Sequence, residues 1–275
     1  MFKKFTINSK YFFDDYTDVV ERINSLALPY KLVNAPVLDL VSENKKEYWV
    51  RVKAEYQTGG FFDTDIISFQ STNHQIIISC NANSLNWVIK TDDKISSEPF
   101  VLNTKNLDII IHIKSGTDGV FVIKQAGDDS PVVSLSGNYL ADESITKLLI
   151  CDPYSKYRYD FKMIIISDSK IDFNDKIVKI KPTITTDWIL KDDSSYETDN
   201  INKKIMLAVP DNIAELKGYN IDCLQAIFNV AGGGDVTGLT VQANEISKKI
   251  GLTTEKQTVF TVIDKEKIVI TSEGS

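Results

Sequence analysis

Glu47-Tyr-Trp-Val-Arg-Val-Lys-Ala-Glu-Tyr56 is the stretch that decides the fold. Tyr48, Val50, Val52, Ala54 and Tyr56 fall on one face, and Trp49, Arg51, Lys53 and Glu55 on the other. Period two in β-branched and aromatic residues describes a strand with one face in a core and one toward water. The same text recurs outward from it. Gly59-Gly60 punctuates, and Asp65 to Gln70, Gln75 to Cys80 and Asn86 to Thr91 follow, parted by Ser71-Thr72-Asn73 and Asn81 to Ser84. Leu107 to Lys114 and Val120 to Gln125 flank Ser115-Gly-Thr-Asp-Gly119, a hairpin loop. Val132 to Leu135, Ile145 to Cys151 and Phe161 to Ser167 complete the set. Many short strands at regular spacing between turn signals predict a two-sheet sandwich or barrel.

Either side of this block the text changes. Tyr11, Phe12, Phe13 and Tyr16 cluster near the start, and Val19, Val20, Ile23 and Leu26 then share a helical face up to Pro29. Residues 1–30 therefore read as an N-terminal arm with a short helix, packed on its own domain or docked on a neighbour. Residues 31–180 read as the sandwich. Beyond Pro182 the chain is polar and acidic to Asn200. Lys204 to Val209, Asp222 to Val230, Gly238 to Ala243, Thr258 to Ile263 and Lys267 to Thr271 then predict a smaller β-rich domain over 181–275. The Gly232-Gly-Gly234 run lacks the Lys and Ser/Thr of a phosphate loop and reads as a turn.

Bulk properties narrow the function. With 275 residues, 43% hydrophobic and 25% charged, the chain is ordinary globular protein. A net charge of -7, with lysines single or in pairs among acids, argues against nucleic-acid binding. No apolar run is long enough for a membrane helix, and Met1 to Lys10 lacks the apolar core of a signal peptide. Three distant cysteines, Cys80, Cys151 and Cys223, read as buried thiols rather than a disulfide framework or a zinc site.

The order of elements from Glu47 to Ser167 resembles the concanavalin A-like, or laminin-G-like, jelly roll. Its carriers are the strand Glu47 to Tyr56, the meander Asp65 to Thr91, the hairpin Leu107 to Gln125 and the closing strand Phe161 to Ser167. Trp188-Ile-Leu-Lys-Asp-Asp-Ser-Ser-Tyr196, then Lys204 to Val209 and Pro210-Asp211, is similar to a stretch of phage virion proteins that follows such a domain. Leu224-Gln-Ala-Ile-Phe-Asn-Val230 also suits them. The resemblance covers roughly residues 40 to 250 and departs in the long N-terminal arm. It implies a non-enzymatic structural component of a tailed phage or phage-like particle: tail, fibre, baseplate or capsid decoration. Such a protein is made in the host cytoplasm and resides in the virion. Its partners are other virion proteins, further copies of itself (a trimer is favoured) and, at the particle surface, host glycan.

Chemistry-bearing residues are few. The two histidines are His74, in a turn, and His112, inside Ile109-Ile-Ile-His-Ile113, and any Ser-His-Asp triad would have to use one of them. Adjacent acids at Asp92-Asp93, Asp128-Asp129, Asp142-Glu143 and Asp192-Asp193 read as solvated turns. The strand acids Glu47, Glu55 and Asp108 form no evident pair for glycoside hydrolysis. Asp63 and Asp65, or Asp128 and Asp129, are the candidates for a calcium ion at the sandwich rim, where hard oxygen ligands suit that cation. Trp49, Trp87 and Trp188 are the tryptophans, and packing is the default for one in a strand. Tyr154-Ser-Lys-Tyr-Arg-Tyr159 follows Pro153 and reads as a loop. There Tyr154, Tyr157, Arg158 and Tyr159, with Trp188, are the candidates for contacting a glycan or partner. A free carbohydrate-binding module and a jelly-roll glycoside hydrolase stand as alternatives.

Overall fold

The structure is a computed structural model that describes residues 3–6, 37–40, 44–57, 64–80, 86–92, 94–103, 105–150, 158–175, 177–178, 181–192, 195–210, 213–214, 217–218, 224–243, 246–254, 257–263 and 267–274. They fall into two compact units, Met1–Ile177 and Val178–Ser275.

The first unit is a jelly-roll β-sandwich. Its strands are β1 (Lys3–Thr6), β2 (Val37–Asp39), β3 (Glu47–Gln57), β4 (Thr64–Gln70), β5 (Gln75–Cys80), β6 (Trp87–Thr91), β7 (Lys94–Ile95), β8 (Leu107–Lys114), β9 (Gly116–Gln125), β10 (Val133–Tyr139), β11 (Lys147–Ile150) and β12 (Arg158–Ser167). One antiparallel sheet has the order β1-β12-β3-β8-β9-β10, the other β2-β11-β4-β5-β6-β7. The alternation read in β3 holds: Tyr48, Val50, Val52 and Ala54 are buried in the core between the sheets. Ile109, Ile111 and Ile113 of β8, Phe121 and Ile123 of β9, and Ile164 and Ile166 of β12 join them. Phe69, Ile76, Ile78, Cys80, Trp87 and Ile89 face them from the second sheet. Phe69 and Phe121 meet edge to face across the sandwich, their centroids 6.2 Å apart.

The strand ends refine two readings. The β8–β9 hairpin closes at Lys114 opposite Val120, as its Gly-containing loop predicts, yet β9 begins at Gly116 because Gly116 and Gly119 pair onward with Tyr139 and Gly137 of β10. Within the stretch read as an N-terminal arm, Lys3–Thr6 pairs with Ser167 to Ile164 of β12 and completes a sheet edge whose backbone groups need partners. The predicted helix over Tyr16 to Leu26 lies outside the described residues.

The second unit holds β13 (Thr183–Thr186), β14 (Ile189–Asp192), β15 (Ser195–Glu197), β16 (Lys204–Ala208), β17 (Leu224–Val230), β18 (Gly238–Ala243), β19 (Ile246–Gly251), β20 (Gln257–Ile263) and β21 (Lys267–Glu273). A five-stranded sheet runs β13-β16-β21-β18-β19, and β14-β15 and β17-β20 form two-stranded ribbons. Ile205, Leu239, Val241, Ile268 and Ile270 make its core. β13, β14 and β15 fall in the stretch read as polar. Little of each is buried, so the apolar half of a strand's alternation is missing there. Among the described residues no helix is long and apolar enough to cross a membrane.

Candidate functional site on the outer face of the first sheet

The residues of β3 and β8 that alternation sends away from the core meet on the outer face of the first sheet. Register sets Trp49 opposite His112 and Glu47 opposite Lys114. The Trp49 and His112 rings stack in parallel, with centroids 4.2 Å apart and planes within 8°. His112 Nε2 lies 2.8 Å from Glu47 Oε1, so the ring N–H donates to a carboxylate that fixes the imidazole's orientation. His112 retains 24% side-chain exposure and Glu47 39%, which leaves the group open to solvent. Val122 of β9 and Ser134 of β10 extend the same row beyond His112.

Beside this row the face is sealed. Arg51, 2% exposed, donates from Nε and Nη2 to Asp108 Oδ1 and Oδ2, both at 3.0 Å. Its Nη1 donates to the carbonyls of Asp172 and Asp175 at 3.1 and 2.6 Å, and the guanidinium sits 5.4 Å from the Phe173 ring centroid. Lys53 Nζ adds a third cationic contact to Asp108, at 3.1 Å. The segment after β12 is thereby strapped over the sheet, where Ile171 packs on Ile110, Met163 and Ile165, with Trp49 and Phe173 against them. A buried charge is tolerated because every guanidinium nitrogen has an acceptor.

Of the acids on this face, Glu47 and Asp108 lie too far apart for paired-carboxylate catalysis, and Glu55, two residues beyond Lys53 on β3, is held in an ion pair with Lys162 at 3.3 Å. Glu47 lies opposite Lys114, and Asp108 opposite Lys53, six residues along β3. At ~3.3 Å per residue they are about 20 Å apart along the strand, beyond the ~5–9.5 Å spacing of glycosidase carboxyl pairs. Each is also matched to a base, Glu47 to His112 and Asp108 to Arg51 and Lys53.

A second polar cluster occupies one end of the sandwich. His74, in the β4–β5 turn, places Nδ1 2.8 Å from Asp92 Oδ2 in the β6–β7 turn. That hydrogen bond raises the His74 pKa above its ordinary value against a partial desolvation, and the charges of Asp92 and Glu143 add to it. Hydrogen bonds from Ser71 and Asn73 pull Glu143 down to about 2. Desolvation opposes ionisation of Asp92, but the Gln75 amide and His74 outweigh it and its pKa is lowered. The adjoining turn, Leu140 to Asp142, is left-handed throughout, with φ of 52°, 46° and 64°. Buried Leu140 and a 2.9 Å ion pair from Asp142 to Lys46 hold it.

Tyr154, Tyr157 and Asp63 lie outside the described residues. Arg158 and Tyr159 are not in a loop: they open β12 opposite Gln57 and Tyr56, because β3 runs far enough to offer them ladder partners. Trp188 is half-buried against the core of the second unit, and its backbone N–H donates to Thr186 Oγ1 at 2.9 Å. Asp65 accepts hydrogen bonds from Ser79 Oγ and, at 3.0 Å, from Lys90 Nζ. A carboxylate already matched by an ammonium group is a weak ligand for a hard cation. Among the described residues no three His, Cys, Asp or Glu side chains are grouped so that they could hold a metal ion. Trp87 is fully buried, the ordinary fate of a strand tryptophan.

Sequence reasoning did not assemble the Trp49–His112–Glu47 group. A signal was present, since alternation sets Trp49 on the polar face of its strand, but nothing local pairs it with a histidine 63 positions later.

The fold and this face define the chain as an all-β protein built on a two-sheet sandwich, with a second, smaller β unit. No family model matches it, and no curated protein matches its sequence. Among solved structures it is similar to an alginate lyase in complex with an alginate trisaccharide, at 11% identity over 50% of this chain and 74% of that one, TM-score 0.35. A cellulose-induced protein is similar at 17% identity over 46% and 69%, TM-score 0.35. The binding domain of botulinum neurotoxin DC, in complex with rat synaptotagmin II, is similar at 9% identity over 86% and 82%, TM-score 0.34. No residue of the site is carried over from them.

Proposed function

We propose that this chain is a non-enzymatic binding protein whose sandwich recognises a surface glycan through the outer face of its first sheet. The observation that carries this reading is the Trp49–His112 stack on a solvent-facing strand surface, oriented by Glu47. A partly exposed aromatic pair with polar groups along one side suits a saccharide, which has apolar C–H faces and a hydroxyl rim. The separation of Glu47 from Asp108, and the ion pairs that hold Asp108 and Glu55, favour binding over hydrolysis. The test is a glycan array with the full chain and with Trp49→Ala, thermal melts confirming that the variant is folded. Specific binding by the parent that falls at least about tenfold in the variant is expected, since interface aromatics are worth on the order of 2 kcal/mol. An array on which the parent binds nothing would overturn the reading.

The resemblance to phage virion proteins favours a second role, structural placement on a particle as tail, fibre, baseplate or capsid decoration. Exposed apolar side chains in the second unit support it. Ile189, Leu190 and Ile201 are 65%, 56% and 48% exposed, and such residues suit burial against further copies or other virion proteins. Antibody-gold labelling of purified particles tests the placement, and sedimentation of the full chain tests for a trimer. Unlabelled particles would remove this role and leave the glycan reading standing.

A further inference from the structure

The row that carries Trp49 and His112 lies between two lysines. Lys114 follows His112 by two residues on β8 and shares its face. Lys124 stands on β9 opposite Ile110, on the same outward side as Val122. Both are exposed, and among the described residues neither meets a carboxylate, whereas Lys45, Lys46, Lys53, Lys90 and Lys162 each do. Four register steps separate the two lysines along the strands, about 13 Å at ~3.3 Å per residue. This distance suits a short oligosaccharide, and the stacked pair and Val122 lie between its ends. Glu47, opposite Lys114 on β3, accepts from His112 and makes no ion pair with the lysine. In a chain of net charge -7, these two outward lysines flank the stacked pair without an ion pair of their own.

We infer that the ligand of this face is an anionic saccharide, whose acidic groups are received by Lys114 and Lys124 while its sugar rings lie along Trp49, His112 and Val122. This rests on the glycan-binding reading above and specifies its substrate class. Uronate carboxylates and sulfate esters offer lysine the same charge, and Ser134 on β10 adds a hydroxyl at the far side of the row.

The experiment is isothermal titration of the full chain with three oligosaccharides of matched length: an oligogalacturonate, a heparin-derived sulfated oligosaccharide and a neutral cello-oligosaccharide. The expected result is binding of one or both anionic probes and not the neutral one. Which anionic probe binds identifies the acidic group. Affinity should drop as salt rises from 0.1 to 1 M, where the screening length shrinks from about 10 Å to about 3 Å. The double variant Lys114→Gln/Lys124→Gln alters only exposed side chains. It should weaken anionic binding about tenfold, within the range for two surface ion pairs. Equal affinity for the neutral probe, or unchanged anionic binding by the double variant, would overturn the inference while glycan binding stood. Failure of all three probes, together with a silent glycan array, would remove both.

Discussion

Arg51 is the residue on which the outer face depends. It is the largest charged side chain in the buried set, and four of its contacts reach two places distant in sequence: Asp108 on β8 and the carbonyls of Asp172 and Asp175. Arg51→Ala leaves those acceptors without their donor and removes the cation over Phe173. The expected loss is about 3 kcal/mol, read as a lower denaturant midpoint. Arg51→Met with Asp108→Leu removes both charges together and should recover most of it, because the cost lies in the stranded partner rather than in the absent pair. Ala141 poses the opposite case. At φ 46°, exposed, and between two other left-handed residues, it bears a Cβ clash that glycine lacks. That clash costs ~1–2 kcal/mol, against ~0.5–1 kcal/mol for the extra chain entropy of glycine. Ala141→Gly should therefore raise stability by up to about 1 kcal/mol in chemical denaturation.

Among elements, the β8–β9–β10 meander shows how a turn places a surface. Gly119 is the hinge at which β9 leaves β8 and continues along β10. A Cβ there would come within 2.6 Å of the Gly137 carbonyl oxygen, 2.7 Å of that of Gly116 and 2.9 Å of that of Lys114. All three are backbone atoms that no rotamer change can move, so Gly119→Ala must open the hairpin. Destabilisation of about 2 kcal/mol or more is expected, with faster amide exchange across Gly116 to Val120. The change would also shift Val122 and Lys124 of β9 relative to His112, so glycan affinity should fall with it. Alternation was legible in each of these strands. That Gly116 and Gly119 also serve β10 was not, because a residue's second neighbour in a sheet leaves no period of its own.

At the scale of the whole molecule, the end of the sandwich sets a pH window. Glu143 titrates near 2 in the folded chain against 4.5 in a free carboxyl, so its contribution is full above about 4.5 and is lost as pH falls toward 2. His74 has its pKa raised from 6.5, so its contribution is full below about 6.5 and is lost as pH rises through the higher folded value. The two overlap between about pH 4.5 and 6.5. Melting temperatures of the parent and His74→Gln across pH should differ most in that window and converge on the alkaline side. A difference that grows above neutrality would contradict the assignment of the His74–Asp92 pair.

The sequence by itself determined which residues face the core. Tyr48, Val50 and Val52, Ile109, Ile111 and Ile113, and Ile164 and Ile166 are apolar at every second position. A pleated strand sends alternate side chains to opposite faces whatever it pairs with. It also determined that the chain is all-β and where most strands lie. Only the tertiary structure decided which outward residues meet. His112 lies beside Trp49, and Asp108 beside Arg51, because β3 and β8 pair in one register of several that the alternation permits. A shift of two residues would keep the same core face and dissolve both groups. The place of Lys114 beside the stack follows from that register, which is fixed by packing between strands about sixty residues apart.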